Sequence, residues 1–187
     1  PILLEKVKEG VEVRVLADGM GGRFMPKGCW KEMERAGIKI GIFFPPVLGR
    51  LNFRVNYRNH RKIVVIDGKV GYVGGFNIGK EYISKVARFG YWRDTHLKIR
   101  GDAVISLQIR FALDWNYAVK ENLFLFSKYF VQERPVFKQA VGIQVVSSGP
   151  DTGTKNIRDN YLEMFHRARN HIYIQTPYFI PDDSVRD

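Results

Sequence analysis

An α/β fold, a sheet flanked by helices, is what this 187-residue sequence predicts, and three observations carry the prediction. Helical and extended patterns alternate through residues 1–120, the order in which helices come to cover the faces of a sheet. Residues 51–58 alternate strictly, with Leu51, Phe53, Val55 and Tyr57 apolar and Asn52, Arg54, Asn56 and Arg58 polar, as in a half-buried strand. Ile63-Val64-Val65-Ile66 and Val70-Gly71-Tyr72-Val73 flank Asp67-Gly68, which reads as a β-hairpin closed by a tight turn.

Taken in order, residues 1–9 read as the end of a helix, with Ile2, Leu3 and Val7 on one face and Gly10 as its stop. Residues 11–16 alternate as a strand. Asp18-Gly19-Met20-Gly21-Gly22 lacks the Lys-Ser/Thr of one phosphate loop and the glycine spacing of another, so it is read as a plain loop. Pro26 and Gly37 bracket a helix containing Trp30 and Met33, and residues 38–44 return as a strand. After the hairpin, residues 78–86 read as a short helix and 95–100 as a strand. Residues 102–120 form the longest helical candidate, with Val104, Leu107, Phe111 and Trp115 at helical spacings. Residues 121–141 have no clean period and include Pro135, as a linker would. The pattern then restarts with a strand at 143–146, a helix at 156–169 and a strand at 171–176. The expected organisation is a first lobe over 1–120, a linker over 121–141, and the beginning of a second lobe over 142–187.

Composition narrows the function classes. A net charge of +11 argues for an anionic partner, whether nucleic acid, an acidic lipid surface or a phosphate-bearing substrate. The single cysteine, Cys29, excludes an internal disulfide and a cysteine-built metal cluster. His166 and His171 have no carboxylate or thiol company, so neither metal nor cofactor is expected. No apolar run reaches the ~18 residues of a membrane span, and no signal peptide opens the sequence. The sequence begins in mid-element without an initiator methionine, as a piece of a longer chain would.

The chemistry concentrates in residues 58–77. If the backbone is extended, His60 and Lys62 share one face and Arg61 projects away. If the strand parity of 51–58 continues, Arg54 and Arg58 join that face. Gly74-Gly75 lets backbone N–H groups approach a bound anion closely, and Asn77 adds a side-chain donor. A phosphodiester suits the set. A neutral imidazole attacks phosphorus, lysine offsets charge on the non-bridging oxygens, and the amide donors hold oxygens where negative charge builds. The candidate site is therefore His60, Lys62 and Asp67 for chemistry, and Arg58, Gly74, Gly75 and Asn77 for substrate. Asp67, at the hairpin turn, is better placed to anchor that turn than to act on substrate.

The string His60-x-Lys62, Asp67, Gly74-Gly75-x-Asn77 resembles the His-Lys-Asp signature of the phospholipase D superfamily. Neighbouring strings look like those of bacterial cardiolipin synthases, in the same order: Gly90-Tyr91-Trp92-Arg93-Asp94-Thr95-His96, Asp114-Trp115-Asn116, Ser147-Ser148-Gly149-Pro150 and Gln175-Thr176-Pro177-Tyr178-Phe179-Ile180-Pro181. Lys80 departs from the acidic residue expected after Gly79. The resemblance implies a phospholipase D-like lobe with a mixed sheet, and two lobes that each bring a His-Lys-Asp set to a shared site. It also implies transfer of a phosphatidyl group between two phosphatidylglycerols through a phosphohistidine, without a cofactor. Its partners are anionic phospholipid at a membrane surface and a second motif, supplied by further chain or by a second copy. The neighbouring strings favour lipid over nucleic acid, and the bacterial cytoplasmic membrane is the implied location. Whether His60 is nucleophile or acid-base partner stays open.

One set is complete here. His96-Leu97-Lys98 with Asp102 is read as a structural strand, because its aspartate comes one residue early and no Gly-Gly follows. Two other readings stand beside the transferase: a single-motif nuclease or phosphodiesterase active as a homodimer, and a basic binding module without activity. Residues 171–176 are further expected to add as a strand beside residues 11–16, within one chain or between two.

Overall fold

The computed structural model describes residues 1–45, 58–131, 136, 138–149, 153–176 and 178–186. The chain divides into two compact units, Pro1–Val145 and Val146–Asp187. The alternating stretch expected over 51–57, including Arg54, lies outside the described residues, as do Pro135, Pro150 and Pro177.

In the first unit, helix α1 (Ile2–Lys8) and helix α2 (Lys27–Arg35) both end in the same hydrogen-bonded turn. Gly10 (φ 85°) donates to Val7 and Val11 donates to Lys6, while Gly37 (φ 95°) donates to Glu34 and Ile38 donates to Met33. This is the glycine-terminated helix end, in which the residue after the cap must take a left-handed backbone. The first cap also explains why strand β1 runs Arg14–Asp18 rather than from residue 11: the Val11 N–H is already taken. Strand β2 (Lys39–Phe43) lies parallel to β1 in the register Arg14 to Lys39, with α2 as the crossover.

The second sheet has the order β3-β4-β5, all antiparallel, from β3 (Ile63–Ile66), β4 (Val70–Gly74) and β5 (His96–Arg100). The β3–β4 turn has Asp67 at φ 53° and Gly68 at φ 69°, with the Lys69 N–H donating to Ile66 at 3.0 Å. Positive φ at both central residues matches the twist of a hairpin and selects Asp-Gly. The short helix expected over 78–86 shrinks to one 3-10 turn at Glu81–Ile83, because Ser84 turns left-handed (φ 57°).

Helix α3 (Ala103–Val119) ties the sheets together. Its first half buries Val104 and Leu107 with Ile99 against Ile63, Val65 and Val73, and its second half buries Ala112 and Trp115 with Leu123 against Leu16 and Val119. The close approach needs bare backbone on the sheets. A Cβ at Gly71 would come within 2.7 Å of Leu107 Cδ1, and one at Gly41 within 2.7 Å of Val119 Cγ2.

Residues 121–130 pack on the first unit, since Leu123 is fully buried and charged neighbours fasten the stretch to β1. Arg14 binds Glu12 and, at 2.9 Å, Glu121; Lys128 and Tyr129 donate to Glu12 at 2.8 Å, and Trp115 Nε1 donates to Glu121 at 2.9 Å. The Arg14 guanidinium also lies 5.0 Å from the Tyr129 ring centroid, in cation–π range.

The second unit holds helix α4 (Asn156–Arg167) and the single turn α5 (Asp183–Arg186). Ser148 Oγ accepts from the Ile157 N–H at 3.0 Å, and Arg158 pairs with Asp182. The strands expected at 143–146 and 171–176 are absent, and residues 171–176 take no part in a sheet. Their pattern is apolar and β-branched, but a strand forms only where a neighbour satisfies its N–H and C=O groups. Among the described residues of the first unit, β1 pairs only with β2.

The ion-pair network makes a pH prediction. Burial pushes the Glu12 carboxyl up, but hydrogen bonds from Lys128, Tyr129 and Arg14 more than offset this and bring it from 4.5 to about 2. Glu121 is likewise raised by burial and brought down from 4.5 to about 2 by Arg14, Trp115 and Lys39. A carboxyl depressed by folding stabilises fully above its unfolded value and loses that contribution as pH falls through the folded one. Urea unfolding midpoints should therefore drop as pH falls from about 5 to about 2, and Glu121→Gln should lower the neutral midpoint and flatten that drop. An acid limb unaltered in Glu121→Gln would contradict the assignment.

Candidate active site

Residues 58–62 enter β3 without belonging to a strand, so side-chain anchors fix their course. The first anchor is Asp18, at the end of β1. Its Oδ1 accepts from the Gly21 N–H at 2.7 Å, the Met20 N–H at 3.1 Å and Arg58 at 3.1 and 3.2 Å, and its Oδ2 accepts from the Asn59 N–H at 3.0 Å. Burial raises the Asp18 carboxyl, yet the Gly21 and Asn59 amides and Arg58 hold it below its ordinary value. The second anchor is Asp114 of α3, which is 4% exposed. It accepts from Arg110 at 2.6 Å, Arg61 at 3.3 Å and Asn59 Nδ2 at 3.4 Å. Asn59 Oδ1 in turn accepts the Arg61 N–H at 3.0 Å, the local turn that asparagine favours.

The two anchors sort the segment by parity. Asn59 and Arg61 reach Asp114, while Arg58 and Lys62 share a different surrounding. Lys62 Nζ donates to the His60 carbonyl at 2.7 Å. Burial pushes the Lys62 ammonium below its ordinary value; Asp94 and Asp18 pull it back up, and Arg58 adds to the fall. The His60 side chain is exposed. Arg58 and Lys62 thus share one surrounding, and the His60 backbone is tied to it through its carbonyl, on an anchored approach to the strand rather than in the strand itself.

Asp67 does not join them. It sits at the hairpin turn, at the opposite end of β3 from His60, where its backbone serves the turn. The paired glycines also differ from the expectation. The Gly75 N–H is spent on the Thr95 carbonyl at 3.0 Å, so it is not free to cradle an anion. Their bareness admits the following strand: a Cβ at Gly75 would overlap the Asp94 carboxylate, and one at Gly74 would overlap the Thr95 carbonyl. Asp94 accepts from the Thr95 N–H at 2.8 Å and from Trp92 Nε1 at 3.5 Å. Asn77 is half-buried in the bend that leaves β4.

Asp18, Asp94 and Asp114 are the residues that the sequence reading missed as parts of the site. The last two stood inside strings that carried the resemblance, which was the available signal. His96 and Lys98 lie in β5 as expected of a structural strand, with His96 edge-on to Phe76 at 6.4 Å and Lys98 over the Tyr72 ring at 5.9 Å. Among the described residues, no group of three His, Cys, Asp or Glu is arranged to hold a metal ion, and no helix is long and apolar enough to cross a membrane.

A family model described as "Cardiolipin synthase, PLD-like domain" matches residues 2–87. Among curated proteins, a cardiolipin synthase of Oceanobacillus iheyensis is 50% identical over 186 residues, covering 100% of this chain and 38% of that protein. The major cardiolipin synthase ClsA of Bacillus subtilis is 49% identical over 99% of this chain and 38% of its own length. Cardiolipin synthase 2 of Staphylococcus epidermidis is 51% identical over the same shares, so the chain spans 38% of the length of these relatives. The matched region runs from α1 through the Asp18-anchored His60–Lys62 segment and the β3–β4 hairpin, and over it the chain is similar to the PLD-like domain of cardiolipin synthases.

Proposed function

We propose that this chain carries one catalytic set of a cardiolipin synthase, which transfers a phosphatidyl group from one phosphatidylglycerol to another and releases glycerol. What supports the reading, beside the relatives, is that Arg58 and Lys62 share one surrounding next in sequence to an exposed His60, whose carbonyl accepts from Lys62 Nζ. A partly desolvated ammonium interacts with a phosphodiester more strongly than one in water. Arg58, already oriented by Asp18, adds a second cation to the same surrounding.

In the proposed reaction one histidine nitrogen attacks phosphorus, forming a P–N bond as the P–O bond to glycerol breaks. The counterpart histidine, from a second set, gives its proton to the departing glycerol oxygen. It then takes a proton from the hydroxyl of the second phosphatidylglycerol, whose oxygen displaces the first histidine. His60 fills one of these roles. Lys62 and Arg58 carry the charge that builds on the non-bridging oxygens, with Asn77 as a further donor. Gly74 and Gly75 contribute by letting Asp94 approach the Lys62 surrounding. Asp67 contributes by closing the hairpin. The second set comes from further chain, of which residues 142–187 are the beginning, or from a second copy. A net charge of +11 suits an enzyme that draws its substrate from an anionic membrane surface.

Conversion of phosphatidylglycerol to cardiolipin and free glycerol by the protein that bears this chain is the deciding assay. His60→Asn should reduce turnover at least ~100-fold with the melting temperature preserved. More than a tenth of the normal rate would remove His60 from the chemistry. Lys62→Ala should lose activity on a similar scale and Lys98→Ala should leave it within about two-fold, since only the former lies beside His60. Equal losses at both lysines would sink the choice of strand. Cleavage of plasmid DNA without cardiolipin formation would favour the phosphodiesterase reading.

The proposed chemistry runs through protein side chains alone, so turnover should persist in excess chelator. Full inhibition reversed by added divalent metal would contradict it.

A further inference from the structure

We propose that Asp114 is the positioning residue of the His60 segment, setting the histidine's place through Asn59 and Arg61 on either side of it. The inference rests on the proposed role of His60 in phosphatidyl transfer. His60 itself lies in a segment without strand pairing, so the sheet does not hold it. Its two neighbours are held instead. Asn59 is bound three ways: its N–H to Asp18 at 3.0 Å, its Nδ2 to Asp114 at 3.4 Å, and its Oδ1 to the Arg61 N–H at 3.0 Å. Arg61 reaches Asp114 at 3.3 Å. The His60 backbone is therefore bracketed by side-chain bonds from Asn59 and Arg61 that converge on buried Asp114, with the Asn59 N–H tied separately to Asp18.

That carboxylate has a fixed reference. Asp114 stands between Ala112 and Trp115, which are 0% and 1% exposed in the core beneath α3, so it moves only with the core. Arg110, one turn earlier, meets it at 2.6 Å and compensates its charge. Buried ion pairs rarely stabilise more than an apolar pair of the same volume, so stability alone gives no reason for a carboxylate here. Aiming a histidine does. In-line attack on phosphorus requires the nitrogen within about 3–3.5 Å of its target, and a misplacement of about 1 Å costs on the order of 100-fold.

The test compares three variants of the protein that bears this chain. Asp114→Asn and Asn59→Ala should each lower kcat by about 10- to 100-fold with KM for phosphatidylglycerol within about two-fold, because substrate is still bound but poorly presented. Glu121→Gln breaks a structural network away from His60 and should lower the melting temperature while kcat per folded molecule is unaltered. Amide exchange read by mass spectrometry should speed up at residues 59–61 in the first two variants and not over β4 or β5. If Asp114→Asn does not fold, Asn59→Ala decides by the same two readings. Should the foldable variants keep kcat within about two-fold of the parent, or leave exchange at 59–61 unaltered, the positioning role is overturned. If the parent makes no cardiolipin, the functional reading fails separately, and faster exchange confined to 59–61 still supports the bracket.

Discussion

Helix α3 lies against both sheets, and the rest of the first unit takes its position from that contact. The helix is 17 residues long and changes partner midway, from β3–β5 under Val104 and Leu107 to the β1–β2 sheet under Ala112 and Trp115. Each fully buried large aliphatic or aromatic side chain contributes roughly 1.5–3 kcal/mol relative to exposure. The contact is close only because Gly41 and Gly71 leave the sheet faces bare where the helix crosses. Asp114 and Asp18 then turn a packing arrangement into an aimed one. One carboxylate comes from the helix and one from the end of β1, and the segment carrying His60 is strung between them.

Charge distribution follows the same division. Arg14, Glu12, Glu121, Lys39 and Lys128 neutralise one another beside β1 and fasten residues 121–130 there. Around His60 the balance differs, since Lys62 meets Asp94 and Asp18 but also the like charge of Arg58. The unit thus spends some of its charges on its own architecture and groups Arg58 and Lys62 with Asp18 and Asp94 at the approach to β3.

Local signals in the sequence were read well, and long-range ones were not. The hairpin was legible because β-branched runs flank a dipeptide that tolerates left-handed backbone, and the helices because glycine marks their ends. Asp18 and Asp114 bind Asn59 across 41 and 55 residues of sequence, and no periodicity reports such a partner. Gly74-Gly75 was visible as a demand for bare backbone, but what approached it turned out to be Asp94 and Thr95. Residues 171–176 had the composition of a strand without the neighbour that makes one.

The placement of the indoles gives the molecule a built-in optical readout. The sequence has three tryptophans. Trp115 is 1% exposed with its N–H on Glu121, so its emission reports the polarity of the core and the attachment of residues 121–130. Trp92 stacks edge-on to Tyr82 at 4.9 Å and directs its N–H to Asp94, so its emission reports the neighbourhood of Lys62. With Trp30 already replaced, exchanging Trp92 or Trp115 in turn for phenylalanine would separate these two signals, letting the melting of the framework and the loosening of the Lys62 neighbourhood be followed in a single cuvette without an added label.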